Sequence, residues 1–219
     1  MQELEHFTEE DLKQLPSRYR AHFINSVTGY KSANLIGTQD ENANANLAIF
    51  NSVVHIGSHP ALLGFILRPL TVPRHTYSNI KATKTFTVNH IGSRFIEQAH
   101  QTAASYDDQQ DEFEEVNLKK MYLDDFKAPY VEASMVKMGC TYVNEYPIAE
   151  NGTVMIIGRI EHIYIAPGIQ HADGWLQLDQ IETAVTLGID GYALPKVLDR
   201  FSYAQPGQAP KSILNETKK

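Results

Sequence analysis

Apolar and polar positions along this chain fall mostly into strand-length runs. Ala61–Leu67 (Ala-Leu-Leu-Gly-Phe-Ile-Leu) is a near-continuous apolar run, as a core strand buried on both faces requires. Thr85–Ile91 alternates polar and apolar residues with the period of a strand. The strongest hairpin signal is Asn151-Gly152, which links a run over 139–146 to a second over 153–165. That second run is long for one flat strand, so a bend or bulge is expected near Gly158. A strand pattern also covers 23–38, broken at 26–29, and resumes over 47–54. Between them the polar run 39–46 reads as a turn, because Asn and Asp tolerate left-handed backbone and bond locally. Gly57-Ser-His-Pro60 breaks the chain again.

Helical signals are fewer. Residues 1–20 read as a charged surface helix in which Thr8 is the N-cap and Asp11 sits three residues on. Pro69 and Pro73 hold 68–74 extended, so the next helix begins only after Pro73 and covers 74–82. Phe95, Ile96, Ala99, Ala103 and Tyr106 recur at helical spacing and predict a helix over 94–106. The acidic stretch 107–115 opens another, and a short helix is expected from Pro129 through Met138. Beyond Asp179 the pattern weakens, with a turn at 188–192 and a polar tail over 206–219. These elements predict a mainly β fold, a β-barrel with α-helical insertions, formed as one domain over 1–219 with its helical insertion at about 94–127.

Composition narrows the partners. The chain has 219 residues, 42% hydrophobic and 21% charged, enough for one substantial core. A net charge of −7 with no basic run argues against a nucleic-acid backbone as ligand. The single cysteine, Cys140, rules out an intramolecular disulfide, and Met1 leads into polar residues rather than an apolar signal region. No apolar run approaches membrane-spanning length. The expectation is a soluble protein of a reducing cytoplasm, with no membrane partner.

Candidate chemistry concentrates between Asn34 and Ile80. Small Asn, Ser and Thr side chains there can exchange hydrogen bonds with a flat, heteroatom-rich ligand. Arg68 and Arg74 frame the opening of the helix after Pro73, where backbone N–H groups and the helix dipole favour an anion. Such a site suits a phosphorylated planar molecule. Nine histidines invite a metal reading, but His55 and His59 are separated by Gly57 and no HExxH occurs. GxGxxG, GxxxxGK and GxSxG are also missing, which removes a Rossmann domain, a P-loop and an α/β-hydrolase nucleophile. Cys140 has no identifiable His partner, so a small buried apolar role fits it better than that of a nucleophile.

In their order, Asn46-Leu-Ala-Ile-Phe-Asn-Ser52, His59–Ile66, Thr76–Lys81, Gly139-Cys140 and Asp199-Arg-Phe-Ser-Tyr203 resemble the flavin reductase-like FMN-binding split barrels over most of 20–205. The chain departs from that family at 25–33, where a Pro-Gly-Val-type run is usual. The resemblance implies a split barrel, FMN as cofactor, a homodimer with the flavin at the subunit contact, and NADH or NADPH as electron donor docking on bound flavin. It implies that Asn46, Leu47, Ala48, Ile49, Asn51 and Ser52 face the pyrimidine edge, against the plainer reading of a polar strand end. Arg68, Arg74, His75 and Thr76, with Lys31 added, would grip the phosphate; solvated loop positions are the alternative for the charged ones. Tyr192, Arg200 and Tyr203 would cover the ring or complete the site across the dimer, or else pack the C-terminal arm on its own barrel. No catalytic side chain is required, since flavin N5 accepts hydride directly. The implied function is an NAD(P)H:flavin oxidoreductase; the alternatives are a non-catalytic FMN-binding or redox-sensing barrel, or an interaction scaffold of the same fold without FMN.

Overall fold

The computed structural model describes residues 4–107 and 110–214. Its strands are β1 (Lys31–Ser32), β2 (Asn34–Gln39), β3 (Ala45–Phe50), β4 (Val54–Ser58), β5 (Ala61–Leu67), β6 (Thr85–His90), β7 (Lys120–Met121), β8 (Tyr130–Val131), β9 (Val136–Ile148), β10 (Thr153–Ile165), β11 (Val185–Leu187) and β12 (Gly191–Ala193). The α-helices are α1 (Glu9–Gln14), α2 (Ser17–Val27), α3 (His75–Thr83), α4 (Ile96–Gln101) and α5 (Glu112–Glu115).

One seven-stranded sheet carries the fold, in the order β3-β2-β6-β9-β10-β5-β4, with every neighbouring pair antiparallel. Its two edges, β3 and β4, are consecutive in the chain, so the short link 51–53 must carry the backbone from one edge to the other. The sheet therefore curls on itself. Phe50 on β3 touches Phe65 on β5 at a centroid distance of 5.1 Å, and Phe65 touches Phe86 on β6 at 5.5 Å. With Ile36, Val88, Cys140 and Ile156 these rings form the barrel interior. The alternate positions Leu35 and Leu47 face outward and pack with Phe95, Ala99, Phe113 and Val131, the two-residue period of a strand serving two cores at once. At the centre of the barrel, a β-carbon on Gly158 would lie 2.3 Å from the Phe86 ζ carbon, so only glycine fits there. The register shifts between Ile157 and Gly158, at the expected bend. Cys140 is fully buried in this interior, and burial pushes its thiol far above the usual range.

The strand over 61–67, the helix after Pro73 and the hairpin at Asn151-Gly152 appear where the pattern puts them. So does the capped start at Thr8, whose hydroxyl accepts from the Asp11 N–H (3.2 Å) while the Asp11 carboxylate accepts from the Thr8 N–H (2.8 Å). Other expectations need correction. Residues 23–27 are helical, not strand: Phe23 packs on Phe7 (4.9 Å) and, one turn back, Tyr19 (6.3 Å). The strand expected over 47–54 ends at Phe50, and Val54 begins the next one. In the insertion only 96–101 and 112–115 are α-helical; the acidic stretch was expected to turn helical from 107, and its residues 108–109 lie outside the described part. The helix expected after Pro129 is instead β8 and the start of β9. There the Asn89 side chain accepts the Val131 N–H (3.0 Å) and β7 pairs with β8, which commits those backbone groups to an extended form. In the tail, Ser202 N–H bonds Lys211 O at 2.9 Å, and 215–219 lie outside the described residues.

Two outcomes are expected. Gly158→Ala forces its β-carbon into Phe86 and should cost about 1–3 kcal/mol in urea denaturation; an unchanged midpoint would show that the interior can give way. His90, at the end of β6, has its Nδ1 shut off from solvent with no partner among the described residues, and burial pulls the imidazole down to about 4. The unfolded chain takes up this proton below about 6.5, whereas the folded form resists to about 4. Stability should therefore fall by about 3 kcal/mol as pH drops through that window. His90→Gln should flatten the drop; the same slope in both proteins would assign it to other groups.

Candidate functional site

Strand alternation sorts the Asn46–Ser52 segment before any ligand is considered. Asn46, Ala48 and Phe50 share the inward face, whereas Leu47 and Ile49 face the insertion and belong to the outer core. The side chains of Leu47 and Ile49 therefore turn away from the face that Asn46, Ala48 and Phe50 share. The Leu47 N–H is also engaged, donating to the buried Glu112 carboxylate at 3.1 Å. Asn46 is buried, and its amide donates to Thr38 Oγ1 (3.2 Å) and Thr76 Oγ1 (3.1 Å); Asn79 donates to the same Thr38 oxygen at 3.2 Å. This polar cluster ties the start of β3 to the first turn of α3.

At the other end of β3 the chain leaves the ladder and a cavity of about 610 Å³ opens, lined by Asn25, Tyr30, Lys31, Ser32, Asn51 and Ser52 among others. Ser52 closes the seam: its hydroxyl accepts the Ile66 N–H (3.0 Å) and donates to the Ile66 carbonyl (3.2 Å). One lone pair of that oxygen remains for another donor. The Lys31 ammonium is held by the Asn25 and Gly29 carbonyls at 2.5 and 3.1 Å, where it caps the negative end of α2. It is thereby placed at the cavity wall as a helix cap.

Around the start of α3 the predicted residues differ in exposure. Arg68 is exposed, Arg74 and His75 are half-buried, and Thr76 is buried against Asn46. Arg74 occupies the N-cap position, which receives no side-chain cap bond, and its Nε is buried with no partner among the described residues. None of these four lines the cavity at Ser52; β3, anchored to Thr76 through Asn46, is what joins the two places. Glu112 was not legible in the sequence, where it is one acid in an acidic run. Burial pushes its carboxyl up, while the Leu47 N–H and nearby His75 draw it back down.

Tyr192 and Arg200 are engaged away from this cavity. The Tyr192 hydroxyl meets His100 Nδ1 at 3.0 Å on β12. Arg200 binds Asp173 at 2.6 Å and lies 4.3 Å from the Trp175 ring, packing the C-terminal arm on its own loop. Tyr203 is almost fully exposed. Among the described residues no three His, Cys, Asp or Glu side chains gather to hold a metal, and no helix is long and apolar enough to cross a membrane. The chemistry on offer is recognition by hydrogen bonding at a barrel edge, with cations and helix amides close by.

Comparison with known proteins adds a family. A family model described as a flavin reductase like domain matches residues 30–178. A candidate flavin reductase with a split-barrel domain from Shewanella frigidimarina NCIMB 400 is 45% identical, with a TM-score of 0.89 over 91% of this chain and 100% of that one. Nitrilotriacetate monooxygenase component B of Bacillus cereus shares the fold at 14% identity and a TM-score of 0.80, over 91% of this chain and 100% of that one. The FMN-binding protein of Thermus thermophilus shares it at 14% and 0.64, over 89% and 96%. No curated protein matches the chain.

Removing the Ser52 hydroxyl should leave both backbone groups of Ile66 without their partner. Ser52→Ala is expected to lower stability by about 1–3 kcal/mol in chemical denaturation. A loss below about 0.5 kcal/mol would mean that water replaces the hydroxyl at the seam.

Proposed function

As the chain belongs to the flavin reductase-like family, we propose that it binds FMN along the β3 edge of the barrel and catalyses flavin reduction by NADH or NADPH, as a homodimer of the cytoplasm. The observation that carries this reading is the Asn46–Thr76 bond (3.1 Å), which joins the polar rim of β3 to the start of α3. A planar ring at one end and an anion at the other suit that edge. Two features favour the fit. The cavity beside Asn51 and Ser52, about 610 Å³, falls in the size range of cofactor sites. At the opposite end, the buried Nε of Arg74, without a partner among the described residues, and the α3 amides that receive no side-chain cap suit an acceptor such as a phosphate.

In this reading the backbone and side chains of Asn51 and Ser52 orient the pyrimidine edge, with Lys31 holding the cavity wall. Ala48 and Asn46 lie along the inner side of the edge. Arg68, Arg74 and His75 neutralise the phosphate, and Thr76 fixes the helix start through Asn46. Bound FMN supplies a ring nitrogen that takes up hydride directly, so the chain needs no acid–base pair. The Thermus thermophilus neighbour, an FMN-binding protein, favours FMN as the flavin.

The purified protein should be yellow with a flavin spectrum, and NADH or NADPH added anaerobically should bleach it within seconds. A spectrum that stays oxidised with both donors would overturn the reductase reading and leave a non-catalytic FMN-binding or redox-sensing barrel. Replacing both Arg68 and Arg74 by Ala should weaken FMN by about tenfold or more while riboflavin changes little. Equal loss for the two ligands would remove these arginines from the phosphate site.

A further inference from the structure

A second cavity, of about 500 Å³, lies outside the site described above and is lined by Arg94, Phe95, Met135, Gln180, Ile181 and Glu182 among others. Its floor is apolar: Phe95 is buried, and Met135, which is 54% exposed, stands at its side. Its walls are pinned to each other. Ser93 N–H donates to the Glu182 carbonyl (3.0 Å), the Ser93 hydroxyl donates to the Glu182 carboxylate (2.6 Å), and Gly92 bridges Thr183. Glu182 keeps this position with φ of +52°, a left-handed conformation that a non-glycine residue seldom adopts without reason. Arg94 is exposed, and its guanidinium has no hydrogen bond or ion pair among the described residues. The cavity thus sets one unneutralised cation and one anchored carboxylate above an apolar floor.

That combination selects a ligand class. An apolar floor favours a flat hydrocarbon body, an open guanidinium favours a carboxylate that it can hold through two hydrogen bonds, and a fixed carboxylate favours an N–H or O–H donor elsewhere on the same molecule. We propose that this cavity is a second binding site, for a small aromatic carboxylate carrying a ring donor group. Arg94 takes the carboxylate, Phe95, Met135 and Ile181 take the ring, and Glu182 accepts from the donor. The site is a near neighbour of the first cavity. Ser32, which lines the first, pairs with Val185, and Gly92, which lines the second, bridges Thr183 two positions away, a backbone separation of about 7 Å.

The probe is 4-aminobenzoate, titrated calorimetrically into the purified protein, with benzoate lacking the donor and aniline lacking the anion. Binding in the low-millimolar range or tighter is expected for 4-aminobenzoate, weaker for benzoate and weakest for aniline. Arg94→Gln should weaken 4-aminobenzoate by about tenfold and leave aniline unchanged. Met135→Trp, which fills the cavity from an exposed position, should abolish binding with an unchanged melting temperature. Absence of saturable binding in the parent protein, or equal affinity in the parent and Arg94→Gln, overturns the proposal. Heat of binding is read whatever occupies the first cavity, so failure here leaves the flavin reading standing, and failure of that reading leaves this one standing.

Discussion

One hydroxyl bonds across the seam at which this barrel closes. The sheet begins and ends on strands that are neighbours in sequence, so three residues carry the chain from one edge to the other. Backbone groups there leave one ladder before joining the next, and buried groups without partners are costly. Ser52 supplies both a donor and an acceptor to Ile66 in place of the missing ladder bonds. The interruption it repairs is also where space opens, and the Phe50–Phe65–Phe86 chain of rings just inside keeps the edges from drifting apart. Closure and cavity are two results of the same break in pairing.

The two-residue period of β3 then divides labour. Asn46, Ala48 and Phe50 turn into the barrel, and Leu47 and Ile49 turn toward the insertion. The insertion answers with Glu112, which reaches the Leu47 N–H from outside. A segment read as a single ligand-facing strip therefore has a working face and a supporting face. The support explains why a short helix of four residues holds a buried acid: its carboxylate satisfies a donor that the strand pairing leaves open.

Much of the barrel was legible where one local rule governed. The apolar run at 61–67, the prolines before α3, Thr8 with Asp11, and Asn151-Gly152 each state their structure within a few residues. Long-range contacts decided the rest. Phe23 lies in a helix that packs on Phe7, and 130–131 is extended where Asn89, far away in sequence, takes the Val131 N–H. The candidate site divides in the same way. Asn46, Asn51, Ser52 and Thr76 could be chosen by residue type and spacing. Glu112 could not, since an acid in an acidic run looks like solvated surface until the fold brings the Leu47 N–H to it.

Cys140 sits sealed within the barrel, its thiol kept protonated by the surrounding apolar side chains. Thiol reagents attack the thiolate and need access to sulfur, so this atom is silent while the strands stay closed. Its rate of alkylation is accordingly a clock for opening of the whole barrel, free of interference from any other sulfhydryl because the chain has only the one. The protein thus carries an internal gauge of its own breathing, beside Gly158, where the packing leaves no room for a further side chain.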